Sequence, residues 1–145
     1  MTAAPAVPST ATPAVALAQE LLLRTGCARP GLPWVRESAA GSAVDLAVLE
    51  RGAHLLDLSE EAVARIALSL ATGRPVDLRA AFGHLTRDHA EAVMIAVAVA
   101  GGHDRVESRV VVADGERRVE SVPPLGVWPD RGGRSGEEGL ARAAA

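Results

Sequence analysis

Apolar residues recur along this chain with two different periods, a three-to-four step over most of its length and a step of two near its end. In "LSEEAVARIALSLATGRP", Val63, Ile66, Ala67 and Leu70 follow the step that lines one face of a helix. Ser59 is placed to cap this helix, and Glu60 and Glu61 sit where its dipole favours negative charge. Gly73 and Pro75 end it. Upstream, 14–24 reads as a helix with Leu17, Leu21 and Leu22 on one side, stopped by Gly26. "CARPGLPWVRES" reads as a loop stiffened by Pro30 and Pro33. "GSAVDLAVLERGAHLLDLS" has Ser42 three residues before Asp45, the spacing of a capping box, with Val44, Val48 and Leu55 or Leu56 continuing an apolar stripe. Gly52 weakens or breaks that helix. Asp77 caps a short helix through Phe82 that Gly83 ends.

The stretch "HLTRDHAEAVMIAVAVAGGHD" joins a polar opening to nine apolar residues, 92–100. Thr86 as cap and Asp88 in the first turn explain the opening as helix initiation. The alternation of Val93, Ile95, Val97 and Val99 is a strand signature, whereas the alanines, Met94 and the upstream cap favour helix. Helix is the reading taken, and with no polar face in 92–100 it implies a central helix sealed from water. "RVESRVVVADGERRVESV" sets Asp114-Gly115 between two alternating runs, the signature of a tight type I′ hairpin. Val106, Val110 and Val112 then share one face, and Glu107, Arg109 and Val111 the other.

These elements make one α+β domain over 14–125, mostly helical, with four to five helices and a C-terminal β-hairpin. The Ala-, Pro- and Thr-rich stretch 1–13 and the Gly-rich stretch 126–145 are expected to be flexible tails.

Composition changes this picture in a few places. The net charge is −3, and all 15 basic residues are arginine; lysine, asparagine and tyrosine are missing together, which points to a GC-rich genome. A slightly acidic chain gains no general attraction to phosphates, and three aromatics, Trp34, Phe82 and Trp128, offer few stacking platforms. Nucleic acid is therefore a disfavoured partner. The single cysteine, Cys27, excludes an internal disulfide, and the N-terminus lacks the basic start and apolar core of a secretory leader. No apolar run is long enough for a bilayer-spanning helix. The expectation is a cytoplasmic protein with no membrane association.

Candidate chemistry is sparse. His84, Asp88, His89, Glu91 and His103 form the one cluster of acid–base or metal-binding residue types. His84 and His89 are five apart, not the four that places two imidazoles on one helix face, and no metal or cofactor is expected. His54 near Asp57 reads as a helix-end histidine, and Cys27, although near Arg24 and Arg29, as an inert half-buried thiol. "RGGRSGEEG" has no preceding strand and no Gly-Lys-Ser/Thr ending, so it is not a phosphate loop.

Helices followed by an arginine-bearing hairpin resemble the outline of a winged helix-turn-helix regulator. That resemblance implies DNA contacts from Arg87, Arg105, Arg109, Arg117 and Arg118. Past Glu91, however, the would-be recognition helix is apolar, with nothing to offer base edges. The terminal "LARAAA" resembles bacterial degradation tags. By elimination, the leading expectation is a small non-enzymatic interaction or regulatory protein whose partner is another protein or a second copy of itself. DNA binding, and an enzyme built on His84, Asp88, His89 and His103, are the alternatives.

Overall fold

The computed structural model describes residues 11–131, and within them five helices and two separate antiparallel hairpins. Helix α1 (Pro13–Arg24) begins with the Thr12 hydroxyl accepting from the Val15 N–H and with proline in its first turn, where no N–H is needed. Hairpin β1 (Val35–Ser38) and β2 (Gly41–Val44) follows. Next come α2 (Leu46–Gly52), a 3-10 turn (Ala53–Leu55), α3 (Leu58–Thr72), α4 (Leu78–His84) and α5 (Arg87–Ala100). Strands β3 (Glu107–Ala113) and β4 (Glu116–Val122) close the series.

The expected α+β class, the five helices and the C-terminal hairpin are all present. Asp77 and Thr86 cap α4 and α5 through the N–H groups of Ala80 and His89. Gly73 closes α3 in the left-handed conformation, at φ 74°. The 87–100 segment is helical, as its alanines and cap favoured.

Four local expectations are corrected. Ser42 caps nothing; it lies in β2, and the α2 cap is Asp45, which accepts from the Val48 N–H. The loop read across 27–38 contains β1, whose Ala39-Ala40 turn carries none of the Asn-Gly or Asp-Gly chemistry that marks a hairpin. Asp57, not Ser59, caps α3, because the helix starts at Leu58, two residues earlier than a Ser59 cap would set it. Gly83 lies inside α4, which continues to His84.

The core forms around α3, which packs against α1, α2, α4 and α5. Leu21, Leu22, Trp34, Leu49, Val63, Ile66 and Val93 are its large fully buried side chains. Trp34 lies at the base of the first hairpin, and its indole N–H donates to the Cys27 carbonyl at 2.8 Å, so the largest side chain in the core leaves no polar atom unpaired.

Helix α5 is not sealed. Val93, Ala96 and Ala98 are buried, but Met94 is 59% and Val97 45% exposed. The helix rests on α1 and α3 along one side, and Met94, Val97 and Ala100 of its apolar run are left exposed. After β4 the chain runs back along the helices. The Leu125 N–H donates to the His103 carbonyl, and Gly126 lies against the backbone of Ile95. Arg24 stacks 4.9 Å from the Trp128 ring centre and donates to the Pro129 carbonyl, and Arg131 pairs with Glu20. "RGGRSGEEG" from Gly132 onward, "LARAAA" and residues 1–10 lie outside the described residues.

Candidate functional site

The N-termini of α3 and α5 and the C-terminus of α1 meet at a part-buried cluster of hydrogen-bonded polar groups. Because α3 begins at Leu58, Ser59 falls in its first turn on the buried side, 8% exposed. Its Oγ accepts the Thr86 N–H at 3.0 Å and lies 2.6 Å from His89 Nδ1. His89 Nε2 lies 3.2 Å from the Thr25 carbonyl oxygen at the end of α1. A carbonyl only accepts, so the neutral ring carries its proton on Nε2, and Nδ1 accepts the Ser59 hydroxyl proton. The chain Thr86 N–H to Ser59, Ser59 to His89, His89 to Thr25 is thereby satisfied at every step. Sequence reasoning missed Ser59 as a partner of His89, since residues thirty apart leave no spacing signal.

Cys27 adjoins this cluster. The Thr25 hydroxyl lies 3.3 Å from its sulfur, which points at the Glu60 carbonyl at 3.8 Å. Burial pushes the thiol up to about 11 and outweighs the Thr25 hydrogen bond. The thiol expected from sequence to be half-buried is fully buried, and it is a thiol rather than a thiolate at neutral pH. Arg29, at the same corner, pairs with Glu60 at 2.6 Å.

As a Ser–His pair, Ser59 and His89 lack what nucleophilic chemistry needs. The hydroxyl is buried, it already accepts a backbone N–H, and the far ring nitrogen is held by a carbonyl where a triad has a carboxylate. The arrangement instead ties three helix ends together.

The structure disperses the rest of the histidine cluster. His84 is exposed at the end of α4. Asp88 and His89 occupy the first turn of α5, while His103 lies beyond its other end, separated by a 14-residue helix about 20 Å long. His103 approaches Glu107 at 3.4 Å, and Glu91 pairs with Arg87. No group of three or more His, Cys, Asp or Glu side chains among the described residues is placed to hold a metal ion. His54 is exposed, and Asp57 directs its carboxylate to the Glu60 N–H.

The five arginines of the DNA alternative do not make one positive face. Arg87, Arg105 and Arg109 face Glu91, Asp104 and Glu120. Arg117 and Arg118 are consecutive on β4 and point to opposite sides of the ribbon.

What the surface does concentrate is apolar. Of eleven large apolar side chains exposed to solvent among the described residues, eight lie between 94 and 127: Met94, Val97, Val106, Val110, Val112, Val119, Leu125 and Val127. In the β3–β4 register Val110 stands opposite Val119, so with Val112 these valines share one face of the hairpin, and none is more than half-buried. Asp114 (φ 53°) and Gly115 (φ 77°) supply the two left-handed residues of the expected tight turn. No helix among the described residues is long and apolar enough to cross a membrane.

No family model, no curated protein and no solved structure matches this chain.

Proposed function

We propose that this is a non-enzymatic interaction protein of a regulatory or accessory kind, working through contacts with another protein or with a second copy of itself. One observation carries the reading: the exposed apolar side chains gather on 94–127, and the hairpin presents its valine face to water. Apolar side chains left exposed together on one face of an element, as on this hairpin, are costly in an isolated chain and mark places where proteins meet. The Ser59–His89 cluster supports the same reading, because its polar groups are consumed in joining α1, α3 and α5.

Hydrogen exchange tests it. Exchange over 94–127 is followed in the full chain at micromolar and millimolar concentration, and with fractionated extract of the source cells. Protection confined to this stretch, and lost when Val110, Val112 and Val119 are all changed to threonine, is the expected result. Exchange there that gains no protection at millimolar concentration or with extract, beyond what the fold itself provides, overturns the reading.

A further inference from the structure

We infer that the hairpin's partner is a second copy of this chain, joined antiparallel edge to edge along β4 with the two-fold axis at Val119. This inference rests on the interaction reading above and specifies its partner.

A two-stranded ribbon is marginal in water and gains most from a further strand. Strand β4 is free to accept one: Glu116 to Ser121 are all exposed and only Val122 is half-buried. The tight turn determines which backbone groups face outward. Ala113 and Glu116 flank a two-residue loop and so form a hydrogen-bonded pair, and such pairs alternate along the ribbon. Val111 with Arg118 and Arg109 with Glu120 are therefore bonded within the hairpin. Arg117, Val119 and Ser121 direct their N–H and C=O groups to the open edge.

A second β4 placed antiparallel with Val119 opposite Val119 uses all three. Arg117 pairs with Ser121 of the other copy, and Ser121 with its Arg117. The side chains agree with this register on both faces. On one face Arg118 stands opposite Glu120 of the second copy, and Glu120 opposite its Arg118. Glu120 already faces Arg109 within its own hairpin, at 3.4 Å, so opposite charges alternate across three strands. On the other face Val110 and Val119 of each copy form a row of four valines across four strands. Charges on an exposed edge normally repel a second copy; here no like charges stand opposite each other.

The other edge is less suited. Centred on Val110, two β3 strands set Arg109 against Val111 and make no ion pair. Centred on Ser108 they oppose Glu107 and Arg109 but overlap over only three strand residues, 107–109.

The register makes a reciprocal prediction for full-length variants studied by sedimentation equilibrium. Arg118→Glu alone opposes two carboxylates at each of two positions, and Glu120→Arg alone opposes two guanidiniums. Each is expected to dissociate at least about tenfold more readily than the wild type. Mixed one to one, they restore opposite charges at both positions and are expected to form a heterodimer within about threefold of wild-type affinity. Within its own hairpin the Glu120→Arg chain sets a second guanidinium against Arg109. That opposition is the same alone and mixed, so recovery reports the contact between copies. Val119→Pro, which removes an edge N–H that the hairpin itself does not use, is expected to abolish the dimer with the circular dichroism unchanged.

The inference is overturned if both charge variants associate like the wild type, if mixing brings no recovery, or if the wild type is monomeric at millimolar concentration. Dimerisation insensitive to the charges but lost in the threonine variant discards the β4 edge and keeps the interaction reading. A monomer whose 94–127 stretch becomes protected only with cell extract discards the second copy and keeps that reading. A monomer that gains no protection there discards both.

Discussion

Single residues carry more of this fold than their types suggest. Gly52 looks like a helix weakener, and α2 does end there. A Cβ at that position would stand 2.8 Å from Cζ3 of Trp34, so the missing side chain is what lets the indole lie against the helix. Gly52→Ala, which helix propensity alone would count as stabilising, is expected to cost about 1–3 kcal/mol by overpacking; a denaturant midpoint higher than wild type would contradict this. Ser59 and His89 belong to the same class. Ser59→Ala leaves the Thr86 N–H and His89 Nδ1 without their partner in a part-buried place, with an expected loss of about 1 kcal/mol. A double-mutant cycle with His89→Gln should show coupling of about 1 kcal/mol. Additivity of the two changes would mean that the 2.6 Å contact adds nothing.

At the scale of elements, caps set the helix starts and also the response to acid. The Asp57 carboxyl is held below its ordinary value, first by the Glu60 N–H it accepts at the start of α3. Glu20 is likewise lowered: burial pushes it up, but the Arg24 and Arg131 guanidiniums together outweigh that. Carboxylates depressed in the fold contribute stability that is fully present above their unfolded values, about 4, and lost as pH falls through the folded values. Stability is therefore expected to hold from neutrality down to about pH 5 and to decline below about pH 4. Asp57→Asn keeps a capping acceptor without a titrating charge. Its stability measured against pH should fall less steeply in that acid limb, and a slope equal to wild type would assign the acid response elsewhere. The hairpins are a contrast between elements. Asp114-Gly115 announces β3–β4 by turn chemistry, while Ala39-Ala40 announces nothing, and β1–β2 is held by its register and by the Asp45 N–H bonded to the Trp34 carbonyl at 2.8 Å.

In the whole molecule, residues 123–131 after β4 return to α1 and α5. Trp128 under Arg24, Gly126 on Ile95 and the Arg131–Glu20 pair fasten them across two helices. Trp128→Ala removes a half-buried ring and a cation–π contact, with an expected cost of about 1–2 kcal/mol. Exchange of amides in 123–131 should rise while Trp34 emission stays that of a buried indole. If 123–131 exchanges as slowly as before, the Trp128 contact does not hold it. The same arrangement explains why α5 has two apolar sides: α1 and α3 take one, the returning chain covers Ile95 and Ala98, and Met94 and Val97 remain in water.

By itself, the order of residues determined the local structure: five helices, the Asp77 and Thr86 caps, the αL glycine after α3 and the type I′ hairpin, because each depends on groups a few positions apart along the chain. Periodicity also placed Val110 and Val112 on one face of a strand, though not whether anything covers that face. Only the tertiary structure decided that Ser59 turns inward to His89, that Gly52 makes room for Trp34, and that Met94 and Val97 of α5 stay in water. Those outcomes depend on residues brought together from distant parts of the sequence, where burial is shared among elements and no spacing rule along the chain records it.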